Sequence, residues 1–164
     1  MPDISVTQDS IASILIALVS KNMLFDYATQ YHASHPSIGD ARTFNLTDKD
    51  YQDFVGFLKG KDYTYTTKVE KTLEEMTKQS KQEKYYDAMK GQLDQMKKVI
   101  DQDKENDLIK FKPQIVEYLE EEIASRYYLQ RGIIEASFDS DNDIQAALEV
   151  LNNKTKYNSI LSGK

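Results

Sequence analysis

From Tyr85 to Ile100 an apolar residue returns every three or four positions, as Tyr85, Met89, Leu93, Met96 and Ile100. A helix of 3.6 residues per turn places those side chains on one face, whereas a strand would scatter them over both. The same spacing recurs in Tyr51, Phe54, Val55 and Leu58, in Val69, Leu73 and Met76, and in Ile115, Leu119, Ile123, Tyr127, Ile134 and Phe138. Only six glycines and three prolines interrupt 164 residues, too few for the many turns of a sandwich or barrel. The pattern predicts an all-α chain: an irregular multi-helix bundle with a short extended N-terminal segment.

Residues 1–8 read as an extended linker, because Ile4 and Val6 alternate with Asp3 and Ser5, and residues 9–164 as a single helical domain. Asp9 or Ser10 can cap a first helix running to about His32. That helix carries two apolar stripes, Ile11, Ile14, Leu15, Leu18 and Phe25 on one, and Ala12, Ile16, Val19, Met23, Tyr27 and Tyr31 on the other. A helix apolar on two sides needs two partners. Thr47 and Asp50 form a capping box, Gly60 suits a helix stop, and Tyr63 to Thr67 reads as an extended connector ending in a cap at Thr66 or Thr67. The Lys- and acid-rich stretch from Lys59 to Lys112 can form a long protruding helical hairpin. Pro113 belongs near a helix start or at a kink, and Asp139 to Asp143 is a turn capping a last helix.

The chemistry-bearing residues are sparse. A net charge of −6 disfavours nucleic acid as a partner, since phosphate contacts need clustered cations. With no cysteine, disulfides and thiolate-bound zinc are excluded. The apolar segment from Ile11 to Phe25 is interrupted by Lys21 and Asn22 and falls short of the ~20 residues of a membrane span. His32 and His35 lack the context of a zinc motif. Asp139, Asp141 and Asp143 begin like a calcium loop, but Ile144 stands where glycine is needed and Val150 where the bidentate glutamate belongs. Glu117, Glu120, Glu121 and Glu122 read as a solvated or docking face, with Glu122 partnered by Arg126. The tyrosine pairs Tyr85–Tyr86 and Tyr127–Tyr128 suit a half-buried boundary. No phosphate loop or nucleophile elbow appears, so no catalytic, cofactor-binding or metal-binding residue is assigned.

Several ordered motifs nevertheless stand out: Leu24-Phe25-Asp26-Tyr27-Ala28 with Tyr31; Phe44, Thr47-Asp48, Tyr51, Phe54 and Val55; and Glu122-Ile123 followed by Arg126-Tyr127-Tyr128-Leu129-Gln130-Arg131-Gly132. Together with Pro2-Asp3-Ile4, which is similar to the close of the family's protease domain, they resemble the C-terminal region of Bacteroides-type C-terminal processing (tail-specific) serine proteases. The resemblance implies a non-catalytic domain of a periplasmic or envelope endopeptidase, whose serine nucleophile, lysine base and PDZ domain lie outside these residues. The implied partners are the preceding protease and PDZ domains of the same polypeptide, with protein substrate or self-association beside them. The expected role is domain packing, substrate gating or assembly. On that reading the second stripe of the first helix meets the preceding domain through Ile16, Val19 and Met23, while Ile14, Leu18 and Phe25 face the bundle. The competing reading is a free-standing helical interaction domain, an adaptor.

Overall fold

The architecture is that of a computed structural model, which describes residues 4–7 and 10–162. Among these residues there are nine α-helices, one 3-10 turn at Ala41–Thr43 and no strand. Helix α1 spans Ser13–Ser20, α2 Met23–Ser34, α3 Asp48–Phe57, α4 Lys68–Gln82 and α5 Tyr86–Lys104. The single turn α6 (Asp107–Lys110) leads into the long α7 (Lys112–Ser137), followed by α8 (Asn142–Asn152) and α9 (Lys154–Leu161).

The helix starts follow from side chains that satisfy the first free N–H groups. The Thr47 hydroxyl accepts from Asp50 N–H while the Asp50 carboxylate accepts from Thr47 N–H, and Thr67 and Glu70 repeat the arrangement before α4. Asp141 accepts from the N–H groups of both Asp143 and Ile144 to open α8. Pro113 sits in the first turn of α7, where a missing N–H costs nothing. Beyond α3, Gly60 takes a positive φ of 77° as the chain leaves the helix.

One core joins α1, α2, α3 and the first half of α7. Ile115, Leu119 and Ile123 of α7 have no exposed surface and pack with Ile14, Leu15 and Leu18, with Leu24, Tyr27 and Ala28, and with Tyr51, Phe54 and Leu58. Each large side chain buried in this way stabilises the fold by about 1.5–3 kcal/mol. Two tyrosines reach polar partners from within it: Tyr27 Oη donates to the Asp50 carbonyl at 2.9 Å, and Tyr51 Oη to the Leu108 carbonyl. Burial pushes both phenols up to about 12.

The hairpin expected between Lys59 and Lys112 is present as α4 and α5, which turn back on one another with Lys84 in the left-handed region at φ 64°. Its only buried side chains are Ser80 and Leu93. At its base Lys104 Nζ donates to the Glu70 carboxylate at 2.9 Å and to the Tyr65 carbonyl at 2.8 Å, and Tyr65 Oη donates to Asp107. Burial would raise the Glu70 carboxyl, but hydrogen bonds from Thr67 and Lys104 hold it below its ordinary value.

Three helices differ from expectation, the simplest case being α9, which follows the helix expected to be the last one and is opened by Asn153 accepting from Lys156 N–H. The first helix starts at Ser13 rather than after Asp9 or Ser10, and it breaks at Lys21–Asn22, where Asn22 adopts φ 58°, a conformation asparagine tolerates well. Helix α7 bends sharply at Leu129, whose φ of 55° and ψ of −144° lie in a region suited to glycine. A leucine there costs about 1–3 kcal/mol. The bend folds the second half of α7 onto the first, so that a Cβ on Gly132 would lie 2.5 Å from the Ala124 carbonyl oxygen. In a straight helix those residues would be about 12 Å apart. Ile134 therefore leaves the face it shares in sequence with Ile115 to Tyr127 and stands exposed.

Candidate interdomain surface

Helix α1 has both faces its sequence advertises. Ile14, Leu15, Ala17 and Leu18 enter the core, while Ile16 and Val19, three residues apart, remain 55% and 48% exposed. Met23 lies beyond the break and packs half-buried against the core. Ile16 and Val19 thus share a surface, and Met23 is only partly available to it. The break also reverses Phe25: it does not face the bundle but stands 53% exposed, with the Arg126 guanidinium 4.1 Å over its ring. Ile11, on the same sequence stripe as Ile14 and Leu18, is exposed because it precedes the first turn.

The chain leading into α1 is held by groups from distant parts of the sequence. Gln114, in the first turn of α7, accepts from Ala12 N–H through Oε1 and donates through Nε2 to the Ser10 carbonyl, both at 3.0 Å. The one side-chain amide therefore occupies two backbone groups, as a neighbouring strand would. Asn142 at the start of α8 donates to the Thr7 carbonyl at 3.3 Å. On the other flank Lys21 pairs with Asp62 at 3.1 Å. Hydrogen bonds from the Thr64 hydroxyl and N–H, then from Lys21, hold the Asp62 carboxyl well below its usual range. The exposed apolar strip of α1 is thus framed by fixed polar contacts. Neither Gln114 nor Asn142 was legible beforehand, since a lone amide in a helix start carries no pattern.

The other candidate residues have structural employment. His35 stacks on Tyr31 with ring centres 3.9 Å apart, and its Nδ1 lies 2.9 Å from the Tyr31 carbonyl. Tyr127 Oη donates to the His35 carbonyl at 2.6 Å, and the Tyr127 ring packs beside His32. Tyr128 Oη donates to the Gly39 carbonyl at 2.9 Å. The Tyr127–Tyr128 pair therefore ties α7 to the loop after α2. Asp141 caps α8 and Asp139 pairs with Arg42 at 3.5 Å, so the aspartates diverge. Among the described residues no group of three His, Asp or Glu side chains is arranged to hold a metal ion.

The glutamates of α7, expected as a solvated or docking face, are not fully solvated. Glu120, Glu121 and Glu122 are all half-buried, because α7 runs through the middle of the fold instead of along its edge. Glu120 accepts from Leu46 N–H at 2.7 Å, and Glu122 pairs with Arg126 at 2.8 Å. Burial, reinforced by Glu117 and Glu122, pushes the Glu121 carboxyl up to about 7.

A second apolar surface lies on the hairpin. Val69, Leu73 and Met76 of α4 and Met96, Val99 and Ile100 of α5 line an open groove of about 710 Å³. Its opposite side is charged, with Glu70, Glu74, Lys78, Asp94, Lys97 and Asp101.

A family model described as the C-terminal helical domain of a probable PDZ-protease matches residues 14–151. No curated protein and no solved structure matches the chain.

Proposed function

The chain belongs to the family of C-terminal helical domains of probable PDZ-proteases, and from that premise we propose that it is the non-catalytic C-terminal domain of a periplasmic or envelope C-terminal processing serine endopeptidase. Its catalytic serine and lysine would then lie in a preceding domain. Its own task would be to brace that domain, with gating of protein substrate or assembly as consequences of the same contact. The exposed pair Ile16 and Val19 carries this reading. The pair sits on the first helix, just after a segment clamped by Gln114, which is where a preceding domain in the same polypeptide would make contact. Met23 borders the pair. Contiguous exposed apolar residues mark interaction sites more often than scattered ones do.

Val19→Asp tests the assignment. Because Val19 is half-exposed, the substitution should cost no more than about 1 kcal/mol through the helix end it occupies. The isolated chain should keep its far-UV circular dichroism and lose only the concentration-dependent association that runs through the exposed strip of α1. A longer polypeptide carrying the same change should become more sensitive to protease near residues 4–12. Unfolding of the isolated chain by Val19→Asp would make α1 simply central to the bundle. Turnover of casein or a tailed peptide by the chain alone, with serine-probe labelling, would refute the non-catalytic assignment. The hairpin groove supports the adaptor reading to the extent that it offers a second apolar surface, one that runs at Val69, Val99 and Ile100 up to Ser13 at the start of α1.

A further inference from the structure

We propose that the C-terminal arm, residues 130–161, can be exchanged between two copies of this chain by straightening α7 at Leu129. Two independent features point to exchange. The first is the hinge itself: Leu129 is held at φ 55° and ψ −144°, with its side chain 77% exposed and no packing to offset that conformation. Straightening moves it into ordinary helical geometry and makes α7 one continuous helix. The second is the arm's attachment. It meets the body through Gly132 against Ala124, Arg42 over the Phe138 ring and paired with Asp139, and Asn142 on Thr7. Leu151 and Leu161 on the arm remain exposed.

The occupant of the vacated site follows from symmetry. Residues 124 and 132 lie equally far from residue 128. If two straight α7 helices pair antiparallel about a two-fold axis at residue 128, Gly132 of one copy falls opposite Ala124 of the other. The close approach that Gly132 makes within one chain is then remade between two, and the more distal contacts of the arm can follow it. A partner of unrelated sequence has no such register. Exchange of identical elements is a low-cost route to a dimer because few new contacts are needed.

The natural chain has no cysteine, so a labelled pair at Pro113→Cys and Ile134→Cys reports the bend without background. A straight α7 separates these sites by about 32 Å, and the bent one by about 20 Å. Spin-label distances are measured on monomer and dimer fractions separated by size exclusion, with labelled protein diluted into unlabelled protein. The monomer should show only the short distance and the dimer the long one. Leu129→Gly, which removes the penalty of the bent form, should lower the dimer fraction at least tenfold without loss of helix content. Val19→Asp should leave the exchanged dimer in place, which separates this proposal from association through α1. A dimer with only the short distance, no dimer at millimolar concentration, or a Leu129→Gly protein that dimerises as strongly as the natural chain would each overturn the proposal.

Discussion

Replacing Gly132 with alanine measures how tightly the bend in α7 is closed. An added Cβ would stand 2.5 Å from the Ala124 carbonyl oxygen, 2.8 Å from its carbon and 3.0 Å from Tyr128 Cβ. Ordinary contact begins at 3.4 Å, so the nearest atom is about 0.9 Å too close. Two of the three obstacles are backbone and cannot rotate away. Overpacking of this sort costs about 1–3 kcal/mol, and the immobile neighbours favour the upper end. Alanine returns roughly 1 kcal/mol of helix propensity. The expected net loss is about 2 kcal/mol, a fall in Tm of about 4–8 °C for a chain of this size. Gly91 is the internal control, because it also lies within a helix but nothing stands within 4 Å of its added Cβ. There the propensity gain is unopposed, and Gly91→Ala should raise stability by up to about 1 kcal/mol. Thermal and urea denaturation followed by far-UV circular dichroism compare the two variants. Stabilisation by both substitutions would show that the second half of α7 does not close on Ala124.

Glu121→Gln should stabilise the chain at pH 8 and have little effect near pH 4.5. Folding raises this carboxyl from an ordinary 4.5 to about 7, so the native state binds the proton more tightly and stability falls as pH rises between those values. Melting temperatures of both proteins at several pH values test the sign, and a difference that grows toward low pH would contradict it. Thr67→Ala removes the cap of α4 and should destabilise the hairpin by about 1 kcal/mol. Hydrogen exchange should then accelerate in α4 and α5 while the protection of Ile115 to Ile123 is unchanged. A chelator should leave Tm in place, because a filled metal site would add several kcal/mol through linkage; a drop of many degrees would reveal a site.

The all-α class, the hairpin, the capping box at Thr47, a helix start at Thr66 or Thr67 and a capping turn within Asp139 to Asp143 were legible in the sequence because each rests on local chemistry; the structure selects Thr67 and Asp141. A 3.6-residue period selects one backbone, and a side-chain oxygen three residues before an N–H selects one helix start. The exposed strip of Ile16 and Val19 was legible for the same reason, as the surplus face of an over-apolar helix. What local pattern could not show is which surfaces meet. The break at Asn22 turns Phe25 outward and Met23 inward, and it depends on how α2 seats Leu24, Tyr27 and Ala28 against α7. The half-burial of Glu120 to Glu122 follows from α7 lying centrally, which its mixed composition does not reveal. The bend at Leu129 is the clearest case. Leucine prefers helix and its neighbours continue the apolar period, yet the chain folds back so that Gly132 can meet Ala124. Periodicity along one helix carries no information about a contact between two of its own turns, and only the packed structure selects it.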